Sequence, residues 1–305
     1  MTPVRIAFLI PAYTDADHLR RLMDSLPAHS HFYIHIDKKS DITSFLPLAQ
    51  REDVRLVEPR IDVQWGGISQ VEYQMTLFRA ALSAGVHYDF LCTLSGMEYP
   101  VWSNEHIVDF FSRHRGQSIL QGICMEHQGR AADKYRIYYP LADRPWGRGT
   151  WRNRLRVALR WLVRPFLRKP LTFCADGRKY TLHKGSDWFA VTPELASYAL
   201  DIWETSPQLR KYFKTSFIPS ETVLHTIAFN SPMASSCMLV EGPYTSLANL
   251  TPLIYIDYHP LVKILTAEDY QSVIDSGKMF CRKVVTGRSD SLVEMLECRR
   301  RQSGV

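Results

Sequence analysis

VRIAFLIPAY, residues 4–13, decides how this chain is read. Residues 4–10 are apolar apart from Arg5, and the run stops at Pro11. A short continuous apolar run closed by proline is the pattern of a strand buried on both faces, as in a parallel sheet. Only Arg5 lies ahead of most of the run and no small-residue cleavage pattern follows, so a first strand is expected and not a signal peptide. No apolar run in the chain approaches the roughly 20 residues of a membrane-spanning helix.

Working outward, a helical stretch follows at about 18–26. Further strands read at 32–36 (FYIHI), 54–57 (VRLV) and 88–94 (YDFLCTL), with a short one at 118–121. Helices read at about 69–84 and 104–114. Strands alternating with helices predict an α/β fold with a mostly parallel central sheet and helices on both faces. The 305 residues are expected to form a single domain. Ligands of such sheets bind beyond the carboxyl ends of the strands. Those ends are Pro11-Ala12, Asp37-Lys38 and Ser95-Gly96. No GxGxxG follows the first strand and no GxxxxGK[ST] occurs, which disfavours dinucleotide enzymes and P-loop ATPases.

Composition is that of a globular protein, 46% hydrophobic and 22% charged. Six cysteines stand singly, with no CxxC pair and no zinc-type Cys/His spacing, so reduced thiols in a cytoplasmic protein are expected. The net charge of +6 is local. Residues 148–169, RGTWRNRLRVALRWLVRPFLRK, carry eight basic residues and no acidic one; the remainder holds 29 basic against 31 acidic.

Seven stretches match one pattern in one order: IAFLIPAY, FYIHIDKKSD, VQWGGISQVE, FLCTLSGMEYP, KGSDWFAVTPELASYAL, IPSETVLHTIAFNSP and AEDYQSVIDSGKMFCRKV. The series resembles glycosyltransferase family 14, which includes the core-2/I-branching N-acetylglucosaminyltransferases, the peptide O-xylosyltransferases and many bacterial relatives. GSDWF and PSETVLHT look most like the xylosyltransferase branch. The resemblance covers about residues 5–285. It implies a GT-A fold and inverting transfer from a UDP-sugar, of the UDP-GlcNAc or UDP-xylose type, to a glycan or lipid-linked glycan. It also implies no metal cofactor. Where most GT-A enzymes hold a cation on Asp-x-Asp, LSGMEYP offers one carboxylate, Glu98. The literal Asp-Ala-Asp at 15–17 follows the first strand and reads as an ordinary loop and helix start.

By the same resemblance, Lys283 with Arg282 beside it neutralises the leaving diphosphate, and Lys263 is the nearest candidate for a second basic contact. Asp37 would meet uridine, with the Pro11-Ala12 backbone on the other side, or else it is a strand-end aspartate capping a turn. Trp65 is read either as closing over the donor or as plain packing. Lys134 and Arg136 are acceptor-side candidates, and His35 is expected inside the sheet with no chemistry. Inversion needs one base for the acceptor hydroxyl. Glu221 is the favoured base and Asp187 the rival, the other carboxylate holding a sugar. Ser220 is expected to cap a helix with Glu221 in its first turn.

In the basic segment Trp151, Leu155, Ala158, Leu159, Leu162 and Phe166 share a helical stripe, with arginines largely elsewhere. This is the pattern of an interfacial helix on anionic membrane, or else of a helix packed on the domain with a solvated arginine face. No nucleic-acid module accompanies it. The expectation is a cytoplasmic enzyme, peripheral at the inner face of the plasma membrane, acting in bacterial surface polysaccharide or lipopolysaccharide synthesis. The alternative is a catalytically inactive sugar-nucleotide-binding or scaffold protein of the same fold.

Overall fold

A computed structural model describes residues 3–146, 149–258 and 261–302. Arg148, the first residue of the basic segment, lies outside the described residues, as do both chain ends of the expected 1–305 domain.

The first half alternates as the sequence predicts. It runs β1 (Ile6–Ala12), α1 (Ala16–Asp24), β2 (His31–Ile36), β3 (Val54–Leu56), α2 (Ser69–Leu82), β4 (Phe90–Thr93), β5 (Glu98–Pro100), α3 (Asn104–Arg113) and β6 (Gln121–Cys124). After α4 (Trp151–Val163) come the hairpin β7 (Thr172–Ala175) and β8 (Arg178–Thr181), then β9 (His183–Lys184) and β10 (Ala190–Val191). Helices α5 (Pro193–Thr205), α6 (Pro207–Phe213) and α7 (Val223–Phe229) follow, then β11 (Met238–Leu239) and β12 (Ile254–Ile256). Helix α8 (Tyr270–Asp275), β13 (Phe280–Arg282) and α9 (Asp290–Gln302) close the fold.

The central sheet has the order β10-β4-β1-β2-β3; β1 to β4 are parallel and β10 is antiparallel at one edge. Successive side chains of a strand point to opposite faces, and β1 shows why it had to be apolar throughout. Ala7 and Leu9 enter the core made with α2 and α5, while Ile6, Phe8 and Ile10 enter the core made with α1 and α3. Each large apolar side chain buried this way contributes roughly 1.5–3 kcal/mol. Phe8 stacks on Phe32, its register partner in β2, at 5.8 Å.

Boundaries shift for local reasons. Helix α1 begins before His18 because the Asp15 side chain accepts from the His18 amide at 3.0 Å and caps it, so the Asp-Ala-Asp is the helix start expected. The strand expected at 118–121 is a single bridge, Ile119 to Ala190, and the strand itself lies at β6. The six cysteines are free thiols.

Two smaller sheets position chemistry. In β12-β13-β5 the antiparallel register sets Arg282 opposite Glu98. In β11-β6-β9, Lys184 lies across from Ile123.

Candidate active site

A cavity of about 680 Å³ opens at the carboxyl ends of β1, β2 and β4. Pro11, Ala12, Asp37 and Ser95 come to it from those strand ends, as such sheets require. Trp65, Lys134, Lys184, Asp187, Trp188, Glu221, Tyr244 and Arg282 complete its polar and aromatic wall. A groove of about 710 Å³ between α1, α3 and α9 lies away from the strand ends. Its charges largely satisfy one another, through Arg20–Asp17, Arg21–Glu297 and Arg301–Glu297.

Glu221 and Asp187 share the cavity, but their surroundings differ. Glu221 ends a 3₁₀ turn at Pro219–Glu221, and α7 begins only at Val223. The expected α-helical first turn is therefore corrected. Ile218 takes a left-handed φ of 40°, and the Ser220 hydroxyl donates to Asp187 Oδ2 at 3.3 Å instead of capping α7. Glu221 Oε2 receives Lys184 Nζ at 2.5 Å, and the Lys184 side chain is buried. Asp187 accepts further from Gln74 Nε2 at 3.2 Å. Burial pushes its carboxyl up to about 7, and the charge of Glu221 adds to the rise.

The same cavity carries a second cationic group, built around Arg282. Glu98 is fully buried and accepts from the Ser95 amide, from Ser95 Oγ at 2.9 Å and from Trp188 Nε1 at 3.1 Å, and it pairs with Arg282 Nη1. Arg282 also donates to Ser95 Oγ at 2.5 Å and lies over the Trp188 ring at 4.9 Å. Its Nε has no partner among the described residues. Four donors occupy Glu98, so the only carboxylate in the Asp-x-Asp position is held as the partner of an arginine.

The other expected residues divide. Lys134 lines the cavity with its ammonium 5.1 Å from the Phe217 ring and 5.6 Å from the Tyr244 ring, and burial lowers its pKa, with Lys184 adding. Arg136 is not in the lining. Asp37 is in it, held by the Lys39 amide at 3.0 Å and Lys39 Nζ at 3.1 Å. Trp65 is 73% exposed at the mouth, which rules out packing as its explanation. Lys263 Nζ is engaged by Asp269 at 2.5 Å and is not in the lining. Lys283, the expected main counter-charge, is not in the lining, and its pKa is lowered by burial and by Arg282; its neighbour Arg282 is in the lining. His35 lies in the sheet, as expected, and also lines the cavity; burial depresses it to about 4, and Nδ1 has no partner among the described residues.

Sequence reasoning missed Lys184, Gln74 and Tyr244. For Lys184 a signal existed, since it directly precedes the GSDWF motif. Away from the cavity lining, Cys124, Glu126 and His127 bring donor atoms within 4.8 Å of one another, a metal-capable group that zinc-type spacing does not capture.

Comparison with known proteins places this geometry. The family sequence model described as Core-2/I-Branching enzyme matches residues 6–246. Xylosyltransferase 2 of Mus musculus is 28% identical over 250 residues, which cover 77% of this chain and 25% of that protein. Xylosyltransferase 2 of Homo sapiens is 29% identical over 245 residues, 75% of this chain and 25% of that one. Xylosyltransferase 1 of Rattus norvegicus is 27% identical over 239 residues, 75% of this chain and 26% of that one. The chain thus spans about a quarter of the length of these relatives.

Proposed function

The chain belongs to the core-2/I-branching enzyme family, and on that premise we propose that it is an inverting glycosyltransferase that moves a sugar from a UDP-sugar to a glycan hydroxyl without a metal cofactor. The observation that carries the reading is that one cavity holds both groups the reaction needs: Asp187, a carboxylate with raised proton affinity, and Arg282, whose Nε has no partner among the described residues.

The steps follow from chemistry. The acceptor oxygen forms a bond to the anomeric carbon as the bond from that carbon to the diphosphate oxygen breaks. Attack opposite the leaving group inverts the configuration. The hydroxyl proton passes to a carboxylate, and the electron pair leaves with UDP. Negative charge grows on the diphosphate, where Arg282 and the adjacent Lys283 stabilise it, as preorganised cations do in a site shielded from water.

The geometry favours Asp187 as the base over Glu221, the choice that the sequence favours. A base works best with a pKa near the operating pH, which is where burial has brought Asp187. Proton uptake by Glu221 would leave the buried Lys184 ammonium unpaired, which is costly. Glu221 and Lys184 then form a fixed polar pair that holds a sugar hydroxyl. For a metal, the donor set is unfavourable: Glu98 stands alone at that place, and it already accepts from four donors, one of them the Arg282 guanidinium.

Xylosyltransferase relatives make UDP-xylose the first donor to test and UDP-GlcNAc the second. The acceptor class is a surface polysaccharide or lipopolysaccharide glycan. The test is UDP release in EDTA with each donor, with and without acceptor. Turnover that persists in EDTA is expected. Loss of turnover restored by manganese would overturn the metal-free reading, and donor binding without any release would support an inactive sugar-nucleotide-binding protein.

A further inference from the structure

Helix α4 is turned inside out relative to an ordinary surface helix. None of its residues whose burial is described is buried. Its half-buried residues are Asn153, Arg156, Val157, Arg160 and Leu159, so Leu159 of the expected stripe is partly covered. The covered side rests on the body through arginine: Arg156 donates to the Leu141 and Ala142 carbonyls at 3.5 Å, and Arg160 lies over the Tyr139 ring at 5.0 Å. The side facing away from the body carries Trp151, Leu155, Ala158 and Leu162, spaced to form one stripe. Trp151 is 69% exposed, Leu162 67%, and Trp161 beside them 61%; Phe166, past the helix end, is 79% exposed. A dense patch of exposed apolar side chains on one face marks an interaction surface.

Charge decides between occupants. The patch is flanked by the exposed Arg152, Arg154, Arg164 and Arg168, and no acidic residue lies between Asp143 and Asp176. Arg152 and Arg164 stack on Trp151 and Trp161 at 5.5 and 5.0 Å. A second copy of the chain seated on this face would set arginine rim against arginine rim, which like-charge repulsion opposes. A lipid surface with anionic headgroups satisfies both features, since apolar side chains enter the acyl boundary while arginines meet phosphates.

We infer that α4 and the residues up to Leu167 dock the protein on an anionic lipid surface. The seat of the helix is linked to the cavity mouth. Asp143 holds the Ser69 amide at 2.9 Å, next to the loop of Trp65, and Tyr139 lies 5.3 Å from Phe217 in the cavity wall. Docking therefore holds the cavity near the bilayer, within reach of an acceptor anchored there. That last consequence rests on the transferase reading, whereas the docking is measured without turnover, so the two fail separately.

The test is sedimentation at low salt with phosphatidylglycerol–phosphatidylcholine vesicles and with phosphatidylcholine vesicles alone. The wild-type chain is compared with the double variant Trp161→Glu, Leu162→Glu, its fold checked by a melting curve. Binding to the anionic vesicles alone is expected, with a partition at least about tenfold weaker in the variant, because two apolar anchors are lost and two like charges face the headgroups. Bromolipid in the vesicles should quench wild-type tryptophan fluorescence. No sedimentation with anionic vesicles, or equal binding by the variant, overturns the inference. A lipid-free dimer in light scattering that the variant abolishes also overturns it, and assigns the face to a second copy.

Discussion

Asp187 and Glu221 are 34 residues apart in sequence and share one pocket, but only one of them is held by a buried cation. Replacing each by its amide therefore has different consequences. Asp187→Asn should cut transfer by roughly the 10²–10⁴ that general-base catalysis contributes, with donor binding nearly intact. Glu221→Gln should act mainly on acceptor KM, because it removes a contact and not the proton acceptor. Rates at saturating donor and acceptor decide: loss in Glu221→Gln with activity retained in Asp187→Asn reverses the roles. The pH profile gives an independent reading. With its carboxyl near 7, Asp187 loses ionised population below that pH, so kcat/KM should fall about tenfold per unit on the acid side. A profile flat from pH 5 to 8 would remove Asp187 as the base.

At the scale of elements, the site depends on how closely strand β9 and helix α7 approach. Gly185 sits between them, its amide donating to the Glu221 carbonyl at 2.9 Å. A Cβ there would fall inside contact distance of His225 Nε2 and the Gln121 carbonyl. The backbone carbonyl cannot give way, and His225 is fully buried. Gly185→Ala should therefore destabilise the fold at or above the upper end of the ~1–3 kcal/mol typical of overpacking. It should also lower transfer at temperatures well below its melting point, because Lys184 and Asp187 flank the position. Urea melts and rates at low temperature check this; a wild-type midpoint would show that α7 can retreat.

For the whole molecule, buried titratable groups set how stability follows pH. His35 and His225 are depressed by burial to about 4 and about 3 from an ordinary 6.5. As pH falls below 6.5 the unfolded chain takes up protons that the fold refuses, so stability declines. Asp187 works in the opposite direction, its folded value being about 7 against an ordinary 3.8. The stability it contributes is complete below 3.8 and is lost as pH rises through 7. Asp187→Asn removes this term and leaves the histidines in place. The melting temperature of the variant minus that of the wild type should widen from pH 4 to pH 7 and stay constant above. A difference independent of pH would contradict the raised carboxyl. A more stable variant with less activity is the usual trade at a functional site.

By itself the sequence determined the buried first strand, the alternation that makes a parallel sheet, the family, and several cavity residues, Asp37, Trp65, Asp187, Glu221 and Arg282 among them. These were legible because each belongs to a local pattern: an apolar run, a strand end or a short motif. Tertiary structure alone decided the partners. Arg282 meets Glu98 across 184 residues through the β5–β13 register, and Lys184 meets Glu221 across 37. No local pattern encodes such pairs, and they decide which carboxylate is free to take a proton. Tertiary structure also decided how α4 faces. Amphipathic spacing shows that a helix has two sides, but which side turns outward depends on what the body offers it. Here the body offers two backbone carbonyls and the Tyr139 ring, to which arginine can bind, so Trp151, Leu155, Trp161 and Leu162 are left facing out.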